Sequence, residues 1–452
     1  MTATKGDWPY PNERQTRPER LEKLRIKPWT ASSRSPSLVL TNCQVVDPVS
    51  GSLLDGPQTV YMSNGVFVSV GSSITSQIED TDMAAIKVDL KGKYVCPGLI
   101  DAHVHCTAVP GTSTMADMIR TPEQLITLRS TFVLREMLAR GFTSVRDTGG
   151  ASKHLSISIA EGLIDGPRLF QCGKALSQTG GHGDFMPGES GGDGTGCCGG
   201  HSKSLGRIVD GVPSILKATR EELKAGGVAS ETDSIEGLQY SPEEIRAVTE
   251  TAWRMGKKMV TAHAYTVEAI NHAVENGVRG IEHGNLLDEP TARMMAAKGV
   301  YLTPTLSCYG IMVRPPFEDF LPPSGQEKNR QVMQRGLEAL QIAEKVGVTV
   351  CYGSDLLISM HALQTEEFTV RSRVLTPQVI LRQATINPAK MLGYEGKLGV
   401  IAQGAIADLI VLDRNPLEDI TVLDRPETCL KAVIKEGRLV SGDLEGIPKL
   451  HM

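Results

Sequence analysis

Four short apolar segments of this chain each end in a side chain able to bind a metal ion, and no other feature restricts its folding as tightly. They are Leu99-Ile-Asp-Ala-His103-Val-His105, Met259-Val-Thr-Ala-His263, Gly280-Ile-Glu-His283 and Val348-Thr-Val-Cys-Tyr-Gly-Ser-Asp355. In the first, His103 and His105 stand at i and i+2. Side chains alternate faces along a strand, so both imidazoles point the same way and can reach one ion. The other three segments each follow a helix-like stretch. Strands alternating with helices predict parallel βα units, and in a (β/α)8 TIM-like barrel every strand ends on one open face, where ligands far apart in sequence converge.

The 452 residues suffice for such a barrel plus a smaller unit. Residues 1–36 are polar and rich in Arg, Pro and Glu, and are expected to be an extension. Residues 37–97 carry short β runs with turn signals, including Gln58-Thr-Val-Tyr-Met, Ser63-Asn-Gly and Val66-Phe-Val-Ser-Val. Residues 396–452 have the same style in Ala407-Asp-Leu-Ile-Val-Leu-Asp and Leu430-Lys-Ala-Val-Ile-Lys. Two β-rich ends around an α/β middle, 98–395, predict one small discontinuous β-sandwich built from both ends of the chain.

Within the middle, Pro122–Gly141 has a helical pattern with Thr121 as N-cap and Gly141 as C′ residue. Thr143–Asp147 and Pro167–Cys172 are the second and third strands. Residues 177–204 are too Gly-rich for regular structure, and a long loop at the open face of a barrel is usually functional. His182 in that loop, Tyr265 just past His263, and His361 beyond the last strand are candidates for substrate binding. His154, His201, His272 and His451 lack any partner pattern. Phe368 lies on an apolar stripe that fits a core face better than an interface.

A net charge of −5 argues against nucleic acid or an anionic membrane as partner. No apolar run approaches membrane-spanning length, and the N-terminal stretch lacks a signal-type apolar core. Nine cysteines without a paired framework predict reduced thiols and a cytoplasmic protein. Self-association into a homo-oligomer is compatible with this reading.

Cys96-Pro-Gly-Leu-Ile-Asp-Ala-His103-Val-His105, His263, Ile281-Glu-His283-Gly, Gly353-Ser-Asp355 and Gly404-Ala-Ile-Ala-Asp-Leu-Ile-Val-Leu together resemble the amidohydrolase superfamily, from about residue 37 to 445. Ser177-Gln-Thr-Gly-Gly-His182-Gly-Asp184, Tyr240-Ser-Pro-Glu-Glu and Ala262-His263-Ala264 resemble its branch of dipeptidases, prolidase-like enzymes and ochratoxinase. The resemblance implies a barrel beside a composite sandwich. It implies zinc, with His103, His105 and Asp355 on a buried ion and His263 and His283 on a second. Asp355 would be the catalytic general base. The substrate would be a small amide or dipeptide with a free carboxylate beside the scissile bond. In this family a carboxylated lysine ending the fourth strand bridges the two ions.

The chain departs from that pattern between Val212–Gly226 and Gly227-Val-Ala-Ser-Glu, where helix runs straight into loop. About ten residues are missing by ordinary strand and turn lengths, so the fourth barrel strand is expected to be absent. Lys217, Lys224, Glu221 and Glu222 are nearby, but all lie on a helical pattern suited to solvent-facing charge. Three readings follow: a dinuclear amide hydrolase; a mononuclear deaminase or cyclic-amide hydrolase using His103, His105, His263 and Asp355; and a chain that keeps the fold without catalysis.

Overall fold

The computed structural model describes residues 29, 37–72, 82, 84–181, 205–221, 238–321, 323–445 and 447. The N-terminal strands are β1 (Leu38–Asp47), β2 (Ser52–Leu53), β3 (Gln58–Ser63), β4 (Val66–Gly71), β5 (Ile86–Asp89) and β6 (Tyr94–Pro97). β1 is long enough to serve two sets of partners. Its first half pairs antiparallel with β3 and parallel with β5. A register shift follows at Asn42, whose φ is 53°, and the second half pairs with β2 and β6.

The chain then enters parallel strands: β7 (Leu99–Val104), β8 (Phe142–Asp147), β9 (Arg168–Phe170), β10 (Ala175–Ser177), β11 (Gly206–Ile208), β12 (Thr261–Ala264), β13 (Gly280–His283), β14 (Tyr301–Thr303) and β15 (Thr349–Val350). β7 is buried at every residue, as a strand covered on both faces must be. Helices Glu123–Ala139, Pro242–Arg254, Val267–Glu275, Glu289–Lys298 and Pro323–Val346 lie between these strands in sequence. The first begins without the expected cap: Pro122 holds the N-cap position, while Thr121 ends the preceding helix Met115–Arg120. Gly141 does close the helix, with φ 96° and its N–H on the Leu138 carbonyl.

Among the described residues the parallel strands form two main sheets, β7-β8-β9 and β12-β13-β14-β15, plus the short ladder β10-β11. The two main sheets join on one side, where Ala102 N–H donates to Tyr352 O at 2.8 Å and Asp355 N–H to His103 O at 2.9 Å. On the other side no described strand pairs with β9 or β12 at their open edges. A closed barrel is therefore not formed by the described residues. The expected site of the missing fourth strand falls in 222–237, outside them. Each sheet has its own apolar core. One packs Leu134, Phe142 and Phe368 around β7 and β8, and the other packs Ile270, Ile281 and Leu340 around β12 to β15.

The chain returns through β16 (Leu409–Leu412), β17 (Leu430–Lys435) and β18 (Arg438–Gly442). β16 pairs antiparallel with β6, Ile410 opposite Cys96, which closes a nine-stranded sheet in the order β18-β17-β16-β6-β1-β3-β4 with β2 and β5 on β1. Leu40, Phe67, Val95, Leu409 and Ile434 share one core there, drawn from both ends of the chain. The seven described cysteines are all free, and no described helix is long and apolar enough to cross a membrane.

Candidate metal centre

The open ends of the parallel strands bring five predicted donors together. His103, His105 and Asp355 form one group and His103, His263 and His283 another, with the potential ligand atoms of each group within 4.8 Å of one another. His103 Nε2 and His105 Nε2 stand 3.3 and 3.2 Å from Asp355 Oδ1. His263 Nδ1 and His283 Nε2 are 3.0 Å apart. Donors about 2.0–2.1 Å from a tetrahedral ion lie roughly 3.3 Å from each other, so these spacings suit a zinc-sized cation.

Local backbone aims the donors. His283 and Asp355 have φ of 73° and 51°, left-handed values that few non-glycine residues adopt and that turn each side chain off the strand's alternation. Gly353 admits the approach of Asp355 to β7, because a Cβ there would lie 2.5 Å from Thr303 Cγ2 and 2.9 Å from His103 Cβ. Asp101, fully buried on β7, fastens the same turn: its carboxylate accepts from Ser354 Oγ at 2.6 Å, Gln364 Nε2 at 2.9 Å and His103 N at 3.1 Å. Asp147 accepts from the N–H groups of Cys106, Gly149 and Ala151, and the Gly149 carbonyl lies 3.1 Å from His105 Nδ1.

Behind His103 stands a buried row of hydrogen-bonded charged groups. Glu282 Oε2 lies 2.8 Å from His103 Nδ1, and Glu282 Oε1 accepts from Arg146 Nη2 at 2.6 Å. Arg146 also donates to Ala102 O at 2.6 Å and Thr261 Oγ1 at 3.2 Å. One guanidinium thus ties the β7-β8-β9 sheet to β12 and β13, the two strands nearest the open edge. His283 is oriented differently, with Nδ1 2.8 Å from Thr305 Oγ1 and 3.1 Å from the Tyr309 hydroxyl. The Thr305 turn is anchored by a fully buried pair: Glu367 accepts from Ser307 N at 2.6 Å, and Arg371 donates to Glu367 and to Pro304 O, each at 2.7 Å.

These surroundings separate the titrations. Burial works against the charge on Asp355, but His103 and His105 outweigh it and hold the carboxyl well below its ordinary range. Burial likewise opposes protonation of His103, yet Asp355 and Glu282 raise its pKa. His283 faces hydroxyls and other imidazoles, and burial lowers its pKa to about 3.

Of the predicted substrate contacts, Tyr265 stacks on His283 with ring centroids 4.7 Å apart. His361 is buried with Nε2 3.0 Å from the Ala108 carbonyl, so it supports the loop after His105. His182 lies outside the described residues, as do Lys224 and Glu222. Lys217 is exposed and Glu221 pairs with Arg207 at 2.6 Å, so neither reaches the donors. His154 is exposed, His272 Nε2 lies 2.7 Å from the Tyr240 carbonyl, and His201 and His451 are outside the described residues. Phe368 is fully buried against Tyr352, a core position. The sequence reading passed over Glu282, Arg146, Asp101, Thr305 and Tyr309. A charged residue inside an otherwise apolar parallel strand was the available signal for the first three.

A family model described as the amidohydrolase family matches residues 94–440. The chain belongs to that family. The ochratoxinase of Aspergillus niger is 32% identical over 325 residues, which span 68% of this chain and 67% of that protein. A prolidase solved with N-methylphosphonate-L-proline is 42% identical, with a TM-score of 0.84 over 90% of this chain and 100% of its own. A Xaa-Pro dipeptidase with methionine in its active site is 26% identical, with a TM-score of 0.76 over 89% and 99% of the two chains. This amidohydrolase therefore has a TIM-like α/β architecture and is a hydrolase of carbon–nitrogen bonds.

Proposed function

We propose that this amidohydrolase cleaves a small amide whose scissile bond adjoins a free carboxylate, a dipeptide or N-acyl amino acid, and that it does so with zinc. The supporting observation is the convergence of His103, His105, His263, His283 and Asp355 at one end of the parallel strands with spacings that suit such an ion. His103, His105 and Asp355 would hold one ion, and His263 and His283 a second. Bound zinc would supply an acidified water and a positive charge for the amide oxygen.

The chain's own groups do the rest. Asp355, whose side chain is 17% exposed, keeps its carboxylate ionised and accepts the proton of the attacking water. Tyr265 is held protonated, because burial pushes its hydroxyl well above the usual range, so it can donate to a substrate oxygen. Met360, Leu357 and Cys308, packed with Tyr265, form an apolar layer that excludes water. The relatives support the substrate class, since the names of two refer to prolidase and Xaa-Pro dipeptidase.

The deciding experiment measures zinc per chain by elemental mass spectrometry and hydrolysis of a panel of N-acyl-L-prolines, other N-acyl amino acids and dipeptides. Two ions with chelator-sensitive cleavage are expected. Background hydrolysis by fully loaded protein would remove the proposal. One ion with ammonia release from ring amines would replace it with the mononuclear deaminase reading.

A further inference from the structure

On the face opposite the metal centre, a cavity of about 760 Å³ opens at the N-terminal ends of β12, β13 and β14. Its size falls within the range of small-molecule sites, roughly 300–1,000 Å³. His263 and His283 lie at the other ends of the same strands. In barrels of this kind the N-terminal face serves stability, so the fold alone does not call for what lines this cavity.

The lining combines four cationic side chains and one carboxylate, Glu250, with aromatic surface. Lys257, Lys258 and Arg279 border it and make no ion pair among the described residues, while Arg254 is already neutralised by Glu250 at 2.9 Å. Arg279 is held in place by a 2.7 Å hydrogen bond from Nη1 to Lys298 O. Trp253 is 61% exposed, large for an indole, and Lys257 Nζ sits 5.6 Å from its ring centroid. Deeper in, Met259 and Tyr301 pack against Ala102, Cys351 and Met391. Three unneutralised cations at one mouth repel each other, an arrangement that an incoming anion relieves. The indole and the apolar depth favour a flat, apolar body behind that charge.

The geometry points to a second binding site here, for a small organic anion with a flat apolar or aromatic body. A carboxylate or sulfonate would sit among Lys257, Lys258 and Arg279, with its ring against Trp253 and towards Tyr301. This site is independent of the metal centre and of its substrate.

The test uses the full-length, zinc-loaded protein and titrates 2-naphthoate and neutral 2-naphthamide by calorimetry. One naphthoate per chain is expected, with naphthamide at least tenfold weaker. Lys258→Glu and Trp253→Ala, both at exposed positions, should each weaken naphthoate at least tenfold without altering the melt. Asp355→Asn, which changes the metal face, should leave naphthoate binding intact. Absence of binding, equal affinity for naphthamide, wild-type affinity in both cavity variants, or loss of binding in Asp355→Asn would each overturn the assignment.

Discussion

Replacing Glu282 by glutamine keeps the shape of the side chain and removes its charge at the point where the two halves of the site are joined. Glu282 offers one oxygen to His103 Nδ1 at 2.8 Å and the other to Arg146 Nη2 at 2.6 Å. A glutamine has one oxygen and one amide nitrogen, so it can accept from only one of these two donors. The other contact becomes donor against donor in a place without exposure, since both Glu282 and His103 are fully buried. Two separable effects are expected. Breaking a buried ion pair by removing one partner destabilises by about 3–5 kcal/mol, which the metal-free protein should show in denaturant melts. Losing the group that orients a ligating imidazole lowers metal affinity about 10–100-fold, or roughly 1.4–2.7 kcal/mol, which a competition titration against a zinc chelator reads directly.

Arg146→Met separates the two. It spares the Glu282 bond to His103 and removes the guanidinium that spans Ala102, Thr261 and Glu282. The reasoning would be refuted if Glu282→Gln bound zinc within about twofold of the unmodified protein, a change far below that expected for an orienting partner. Glu282 would then be structural only.

Three further outcomes follow from the same geometry. Asp355→Asn should lower kcat by at least about 10²-fold, the lower end of general-base effects, and activity above a tenth of the original would take Asp355 out of the reaction. In metal-free protein His283 and His361 each have a pKa lowered from 6.5 to about 3 by burial. The unfolded chain binds those protons first, so the two groups cost no stability above about pH 6.5 and destabilise the fold progressively as pH falls towards 3, by up to about 1.4 kcal/mol per pH unit for each group. His361→Gln should make the loss of stability between pH 6 and 4 shallower by up to about 1.4 kcal/mol per pH unit in melts, and an unchanged slope would exclude His361 as a source of it. Glu367→Ala leaves the fully buried Arg371 without its partner and should destabilise by about 3–5 kcal/mol, against less than about 1 kcal/mol for Glu289→Ala on an exposed helix pair. Equal melts for the two variants would contradict the role given to the Glu367 anchor.

The donors were legible in the sequence because a strand terminus is a local feature: an apolar run followed by His or Asp marks both the element and its end, and parallel topology then gathers the ends on one face. His103, His105, His263, His283 and Asp355 all meet on those grounds. The groups that hold them were not legible for the converse reason. Glu282 and His283 are neighbours on β13, and strict alternation sends them to opposite faces, yet both meet His103's surroundings because φ at His283 is 73° and its ring turns back. No pattern in composition announces a left-handed histidine. Arg146 is harder still, since a lone arginine in a strand reads as an edge charge until its three acceptors, on β7, β12 and β13, are seen together. The shortened segment after Val212–Glu221 was visible in the chain, but its consequence was not. Separate apolar cores lie behind the two sheets, and the small cluster of Ala102, Cys351 and Met391 with Met259 and Tyr301 spans them, so alignment of His103 with His263 and His283 is shared between that packing, the β7 contacts with Tyr352 and Asp355 on one side and the Arg146–Glu282 pair on the other. The precision of the candidate metal site therefore rests in large part on a few directional polar contacts, which is why single charge changes at Glu282 or Arg146 are expected to disturb it more than the loss of a methyl group from either main core.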